Sequence, residues 1–142
     1  MAINLKGILL CMKYELRRML AQGNGGSIVN TASTGALAAV PGNSAYISSK
    51  HAVLGLTRTA ALEYAQWGIR INAICPHVIR TPLVEKGFEA QPELEHLVGA
   101  TTPIGRLGEP EEVAGAVLWL CSDEASFVLG SPMLIDGGFL AQ

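Results

Sequence analysis

Residues 27–76 read SIVNTASTGALAAVPGNSAYISSKHAVLGLTRTAALEYAQWGIRINAICP, and the two ends of this stretch differ in pattern from its middle. "SIVNTAS" (27–33) is short, carries adjacent β-branched residues and runs into Gly35, as a buried strand does. "GIRINAICP" (68–76) alternates until it meets Pro76 and reads as a second strand. Between them, past Pro41 and Gly42, Asn43 or Ser44 can cap a helix running to about Trp67. Strand, long helix, strand is a right-handed crossover, which makes the strands parallel.

Working outward, residues 4–21 hold apolar side chains at helical spacing (Leu5, Ile8, Leu9, Met12, Leu16, Met19, Leu20) and stop at "QGNGG". Residues 77–108 are polar and rich in Pro and Gly, and are expected to form a long loop with one short helix near 92–99, of the kind that serves a site. "EPEEVAGAVLWLCS" puts Pro110 at a first helical position with acids in the first turn. "PMLIDGGFL" closes the chain as a strand. The element order predicts an α/β fold with a parallel sheet, in one domain spanning 1–142. No G-x-G-x-x-G follows a strand here; "GNGG" (23–26) sits between a helix and a strand and reads as a helix stop.

Nearly half of the 142 residues are hydrophobic, 15% are charged and the net charge is −2. That balance suits a folded domain and supplies no electrostatic footprint for nucleic acid or an anionic membrane. Small metabolites are the expected partners. Cys11, Cys75 and Cys121 are odd in number and far apart, so neither a disulfide framework nor a zinc site is expected. The apolar run near the N-terminus is interrupted by Lys13, Glu15, Arg17 and Arg18, too early for a membrane span or a signal peptide. A cytoplasmic location is the expectation.

Tyr46 and Lys50 lie four residues apart, on one face of the helix, and that face continues through Val53 and Thr57 toward the interior. A free phenol titrates near 10, and a neighbouring ammonium favours the phenolate. Such a pair can act as a general acid/base. Ser33 stands at the C-terminal end of its strand, where open parallel sheets gather ligands, and its hydroxyl can hold a substrate oxygen. Proton transfer at oxygen suits an alcohol–carbonyl interconversion, but the hydride must come from a nicotinamide cofactor. Serine hydrolase patterns are missing: "TASTG" and "GNSAY" are not G-x-S-x-G, and Ile47 precedes Lys50 by three, so there is no S-x-x-K.

The segments "INLKG", "GSIVNTAST", "YISSK", "RINAICPHVIRTP", "GRLGEPEEVAGAVLWLCS" and "SFVLGSPMLIDGG" together resemble the C-terminal part of the short-chain dehydrogenase/reductase family. The resemblance implies a partial Rossmann-like, doubly wound parallel sheet made of the C-terminal strands and helices. It implies that Tyr46 is the acid/base, that Lys50 supports it and holds the nicotinamide ribose, that Ser33 orients substrate and that Asn4 supports a proton-relay water. It further implies cofactor contacts at Pro76, Ile79 and Thr81, with 77–108 as the substrate-binding region. NAD or NADP is the implied cofactor, a secondary alcohol or ketone the substrate, and a homo-oligomer, dimer or tetramer, the implied assembly.

The sequence departs from that pattern in three places. His77 replaces the glycine that usually follows Pro76 and is a candidate substrate contact. Leu129 stands where threonine is common and is expected only to pack. The family's N-terminal half, with its glycine-rich turn, is absent, so the expectation is a truncated or split protein in which Met1 is a late start. The alternative function is a non-catalytic remnant serving as an oligomerisation or partner-dependent module. His51 is expected to be structural, and His96 lies in the expected substrate loop.

Overall fold

In the computed structural model, which describes residues 1–142, three parallel strands lie side by side: β1 (Gly26–Thr31), β2 (Ile69–Pro76) and β3 (Pro132–Ile135). The register sets Ile28 opposite Ile71, and Ile74 opposite Met133. Five helices connect and cover them: α1 (Ile8–Gln22), α2 (Ser44–Tyr64), α3 (Pro82–Ala90), α4 (Glu93–Thr101) and α5 (Pro110–Cys121). The expected parallel α/β sheet is therefore present, with β2 at its centre.

Alternation along β2 assigns the two faces of the sheet. Ile69 and Ile71 pack with Met12, Leu16, Ala60 and Ala61, while Ala73 and Cys75 pack with Val53 and Leu54. That face belongs to α1 and α2. The intervening residues turn the other way. Arg70 donates to the carbonyls of Leu120 and Ser122 at the C-terminal end of α5, satisfying groups that the helix itself leaves open. Asn72 is completely buried; its Nδ2 donates to the Val128 carbonyl and its Oδ1 accepts from the Ser131 amide, both at about 3 Å. One side chain thus pins the turn that feeds β3.

Several local expectations need correction. The first helix opens with a wide π-helical segment, Ala2–Gly7, before α1 proper. Asn43 holds the cap position of α2, yet its side chain donates to the Pro41 carbonyl and caps nothing. The stretch 77–108 is not a long loop with one short helix: it holds both α3 and α4. The sequence carries a start signal for α3, since Thr81 accepts from the Val84 amide at the cap and Pro82 occupies the first turn. Gly23, with φ 70°, ends α1 as its "QGNGG" stop suggests.

Only one edge of β1 is paired. Along the other runs an open groove of about 640 Å³ between the strand and α1, lined by Ile3, Cys11 and Met19 among others. No helix is long and apolar enough to cross a membrane. Of the cysteines, Cys75 is in the core while Cys11 and Cys121 are exposed.

Candidate active site

Beyond the C-terminal end of β1 the chain turns at Ser33 into a short 3₁₀ segment, Thr34–Ala36. The Ser33 hydroxyl accepts from the Gly35 amide at 3.1 Å, which fixes the oxygen while its own proton stays free to donate. Space on one side of Gly35 is short. A Cβ added at Gly35 would come 2.8 Å from Ile47 Cδ1 and 3.5 Å from both Ser33 Oγ and Tyr46 Cε1. Serine and tyrosine therefore flank the same point, and both line an open pocket of about 450 Å³ with His77, Ile79 and Thr81.

Tyr46 lies in the first turn of α2 and is 44% exposed. Further along the same face, Ser49, Val53 and Thr57 are fully buried. The inward-facing stripe is thus real from the second turn onward, whereas its first member overhangs the pocket. Lys50 follows one turn later. Its Nζ lies 5.7 Å from the centre of the Tyr46 ring and donates to the Thr31 carbonyl at 2.9 Å. Burial pushes the Lys50 ammonium below its ordinary value, and nearby Cys75 acts weakly against that. Cys75 itself is raised by burial, so its thiol stays neutral near pH 7 and the burial effect on Lys50 prevails.

Asn4 does not line the pocket. Its Nδ2 donates to Ser49 Oγ at 3.4 Å, and that hydroxyl donates to the Tyr46 carbonyl at 2.6 Å. The chain of bonds from Asn4 thus ends on the backbone of Tyr46. Pro76 closes β2 immediately before His77 and lines no part of the pocket. Past it, Arg80 donates its amide to the Gly108 carbonyl and Gly108 donates to the Val78 carbonyl. The amide and carbonyl of Ile79, between them, have no partner in the chain, so one donor and one acceptor are left at the pocket wall.

The structure adds residues that periodicity does not single out. Thr34, Val40 and Val84 share the pocket, and Thr34 Oγ1 lies 3.3 Å from His77 Nδ1. The His77 ring stacks on Phe139, with centres 4.0 Å apart. Burial lowers the His77 pKa, partly offset by Asp136. His96 belongs to a separate pocket beside Arg80 and Glu95, and His51 bonds within α2 to the Ile47 carbonyl. Leu129, expected only to pack, is 38% exposed beside Phe127.

A family model described as enoyl-(acyl carrier protein) reductase matches residues 1–140. Among curated proteins, an A-factor type gamma-butyrolactone 1'-reductase (1S-forming) of Streptomyces virginiae is 50% identical over 98% of this chain and 54% of its own length. A 2,5-dichloro-2,5-cyclohexadiene-1,4-diol dehydrogenase of Sphingobium indicum is 48% identical over 99% of this chain and 56% of its own. Among solved structures, 4-hydroxyisoleucine dehydrogenase complexed with NADH superposes with a TM-score of 0.93 at 35% identity, over 99% of this chain and 57% of that one. ElxO with NADP bound gives 0.91 at 37% identity, over 98% of this chain and 56% of that one. The chain spans about half the length of the curated relatives it matches.

Proposed function

We propose that this chain, which belongs to the short-chain dehydrogenase/reductase family, carries the substrate-facing part of an NAD- or NADP-dependent oxidoreductase interconverting a secondary alcohol and a ketone. One observation carries this reading: Lys50 Nζ stands 5.7 Å from the centre of the Tyr46 ring, while Ser33 and Tyr46 flank one point in one pocket. A phenol with an ammonium behind it and a hydroxyl donor beside it is a proton-transfer site for an oxygen-bearing carbon.

In the oxidising direction Tyr46 takes the proton from the substrate hydroxyl, and in the reducing direction it returns it. Ser33, its oxygen held by the Gly35 amide, donates to the same substrate oxygen and limits how the substrate can lie. Lys50, anchored on the Thr31 carbonyl, supplies positive charge that favours the phenolate. Asn4 acts at one remove, through Ser49, by holding the first turn of α2 in place. A bound nicotinamide supplies the hydride acceptor or donor. The residues present fit its carboxamide end: the unpaired donor and acceptor of Ile79 complement an amide. Thr81 shares the pocket with Ile79, Pro76 ends the strand that leads to it, and Lys50 is the candidate ribose contact. The helices and loops of 77–108 form the substrate wall.

Two named relatives act on oxygenated carbon, one of them a ring diol, so cyclohexane-1,4-diol is a reasoned first substrate. The test is turnover of that diol with NAD or NADP, read as reduced nicotinamide, in the 142-residue chain and its Tyr46→Phe variant. We expect turnover in the parent and a loss of roughly 10² to 10⁴ in the variant. Equal turnover in both proteins would overturn the assignment of Tyr46.

A further inference from the structure

Ser33 and Thr34 are neighbours in sequence but serve the pocket differently. The Thr34 hydroxyl is buried, and its one side-chain bond is to His77 Nδ1 at 3.3 Å. His77 is held from three directions. Its amide donates to the Ile135 carbonyl at the end of β3, its Nδ1 meets Thr34, and its ring lies flat on Phe139 with 14° between the planes. The ring is fixed although it sits in a wall that a ligand would touch. Its Nε2 has no partner in the chain, and no buried side-chain nitrogen lacks one, so Nε2 is open to solvent.

An imidazole held neutral by burial has one donor nitrogen and one acceptor. Which nitrogen is which follows from the partner on the other side. Threonine leaves that choice open, because a hydroxyl both donates and accepts. If the Thr34 hydroxyl donates to Nδ1, Nε2 carries the proton and suits a carbonyl oxygen. If Nδ1 donates to Thr34, Nε2 is bare and suits a hydroxyl. Neither state needs the ring to move. The nearest charge, Asp136, is occupied by the amides of Gly138 and Leu140, so it does not force either state.

We propose that His77, backed by Thr34, is a specificity-determining station for a second oxygen on the substrate, accepting that oxygen as either hydroxyl or carbonyl by exchanging tautomers. The preferred substrates are then two-oxygen compounds: one oxygen reacts at Tyr46 and the other is held at His77. This rests on the alcohol–ketone reading above.

The experiment is NMR of the 142-residue chain carrying ¹⁵N-labelled histidine and backbone amides, titrated with cyclohexane-1,4-dione, cyclohexane-1,4-diol and cyclohexanol, without cofactor. All three ligands are expected to shift the Ser33 and Tyr46 amides. Only the two-oxygen ligands should move His77, the dione toward the Nε2-protonated tautomer and the diol away from it. His77→Phe should weaken diol binding about tenfold more than it weakens cyclohexanol binding. In Thr34→Val, where His77 has lost its two-way partner, the tautomer should no longer follow the ligand. If all three ligands shift Ser33 and Tyr46 while His77 stays indifferent, the second-oxygen station is wrong and the alcohol–ketone reading stands. If none of the ligands shifts Ser33 or Tyr46, both are overturned.

Discussion

The Lys50 ammonium donates to the Thr31 carbonyl at 2.9 Å, tying the second turn of α2 to the last residue of β1. A cation that would otherwise wander is held one helical turn from Tyr46, on the strand that leads into Ser33. The bond therefore links the two residues on which the proposed proton transfer depends.

Replacing Lys50 with Met should remove both the anchor and the charge. Turnover is expected to drop at least tenfold, and Lys50→Arg should restore only part of it, because a planar guanidinium cannot repeat the point contact. Burial makes the folded chain hold this proton less tightly than the unfolded chain does. Wild-type stability should accordingly decline as pH falls from the ordinary lysine value of 10.5, and the methionine variant should lack that slope. Urea unfolding at a series of alkaline pH values measures it.

Gly35→Ala tests the crowding at the site. The new methyl would meet Ile47 Cδ1 at 2.8 Å, the end of a flexible side chain, so the fold should survive at a cost of about 1 kcal/mol. It would also come into ordinary contact with Ser33 Oγ and Tyr46 Cε1, each at 3.5 Å, so any yielding of Ile47 is felt beside both. We expect kcat to fall by more than the stability loss explains, with a Tm shift of only a few degrees by calorimetry.

Asn72→Ala should be the costly substitution. It leaves the Val128 carbonyl and the Ser131 amide without their partner beneath the turn that feeds β3. A destabilisation of about 2–4 kcal/mol is expected from chemical denaturation. Asn72→Asp retains the acceptor alone and should recover less than half of that loss.

Glu112 should contribute to the acid behaviour. Its carboxylate pairs with Arg106 through two 2.9 Å bonds and accepts from the Glu109 amide at 2.7 Å. These bonds, that of Arg106 first, bring its pKa from 4.5 down to about 2. The folded form binds this proton less readily, so the stabilisation is present above pH 4.5 and disappears as pH falls through about 2. Glu112→Gln should flatten the stability curve across that window, as followed by circular dichroism.

Much of the site was legible from spacing. Four-residue separation on a helix put Lys50 behind Tyr46, and the strand end put Ser33 near them, because helix and strand periods are properties of the backbone. Asn4 was legible only as a motif, and its contact turned out to be Ser49. Thr34 and His77 could not be paired in advance. They are distant in sequence, and their meeting depends on how far the chain travels between the ends of β1 and β2. The first helix of the 77–108 region, α3, was not expected because its Pro- and Gly-rich flanks resemble loop composition, although "TP" at 81–82 is a readable start signal.

By itself the sequence determined the alternation of strand and helix, the parallel sense of the sheet and the stacking of Tyr46 with Lys50, since each follows from local period and short connections. Only the tertiary structure decided that Lys50 anchors on Thr31, that Gly35 sits close against Ile47 with Ser33 and Tyr46 on either side, and that His77 is clamped between Thr34 and Phe139. Those relationships join residues from different elements, and they exist only once the packed sheet and helices have fixed the distances between them.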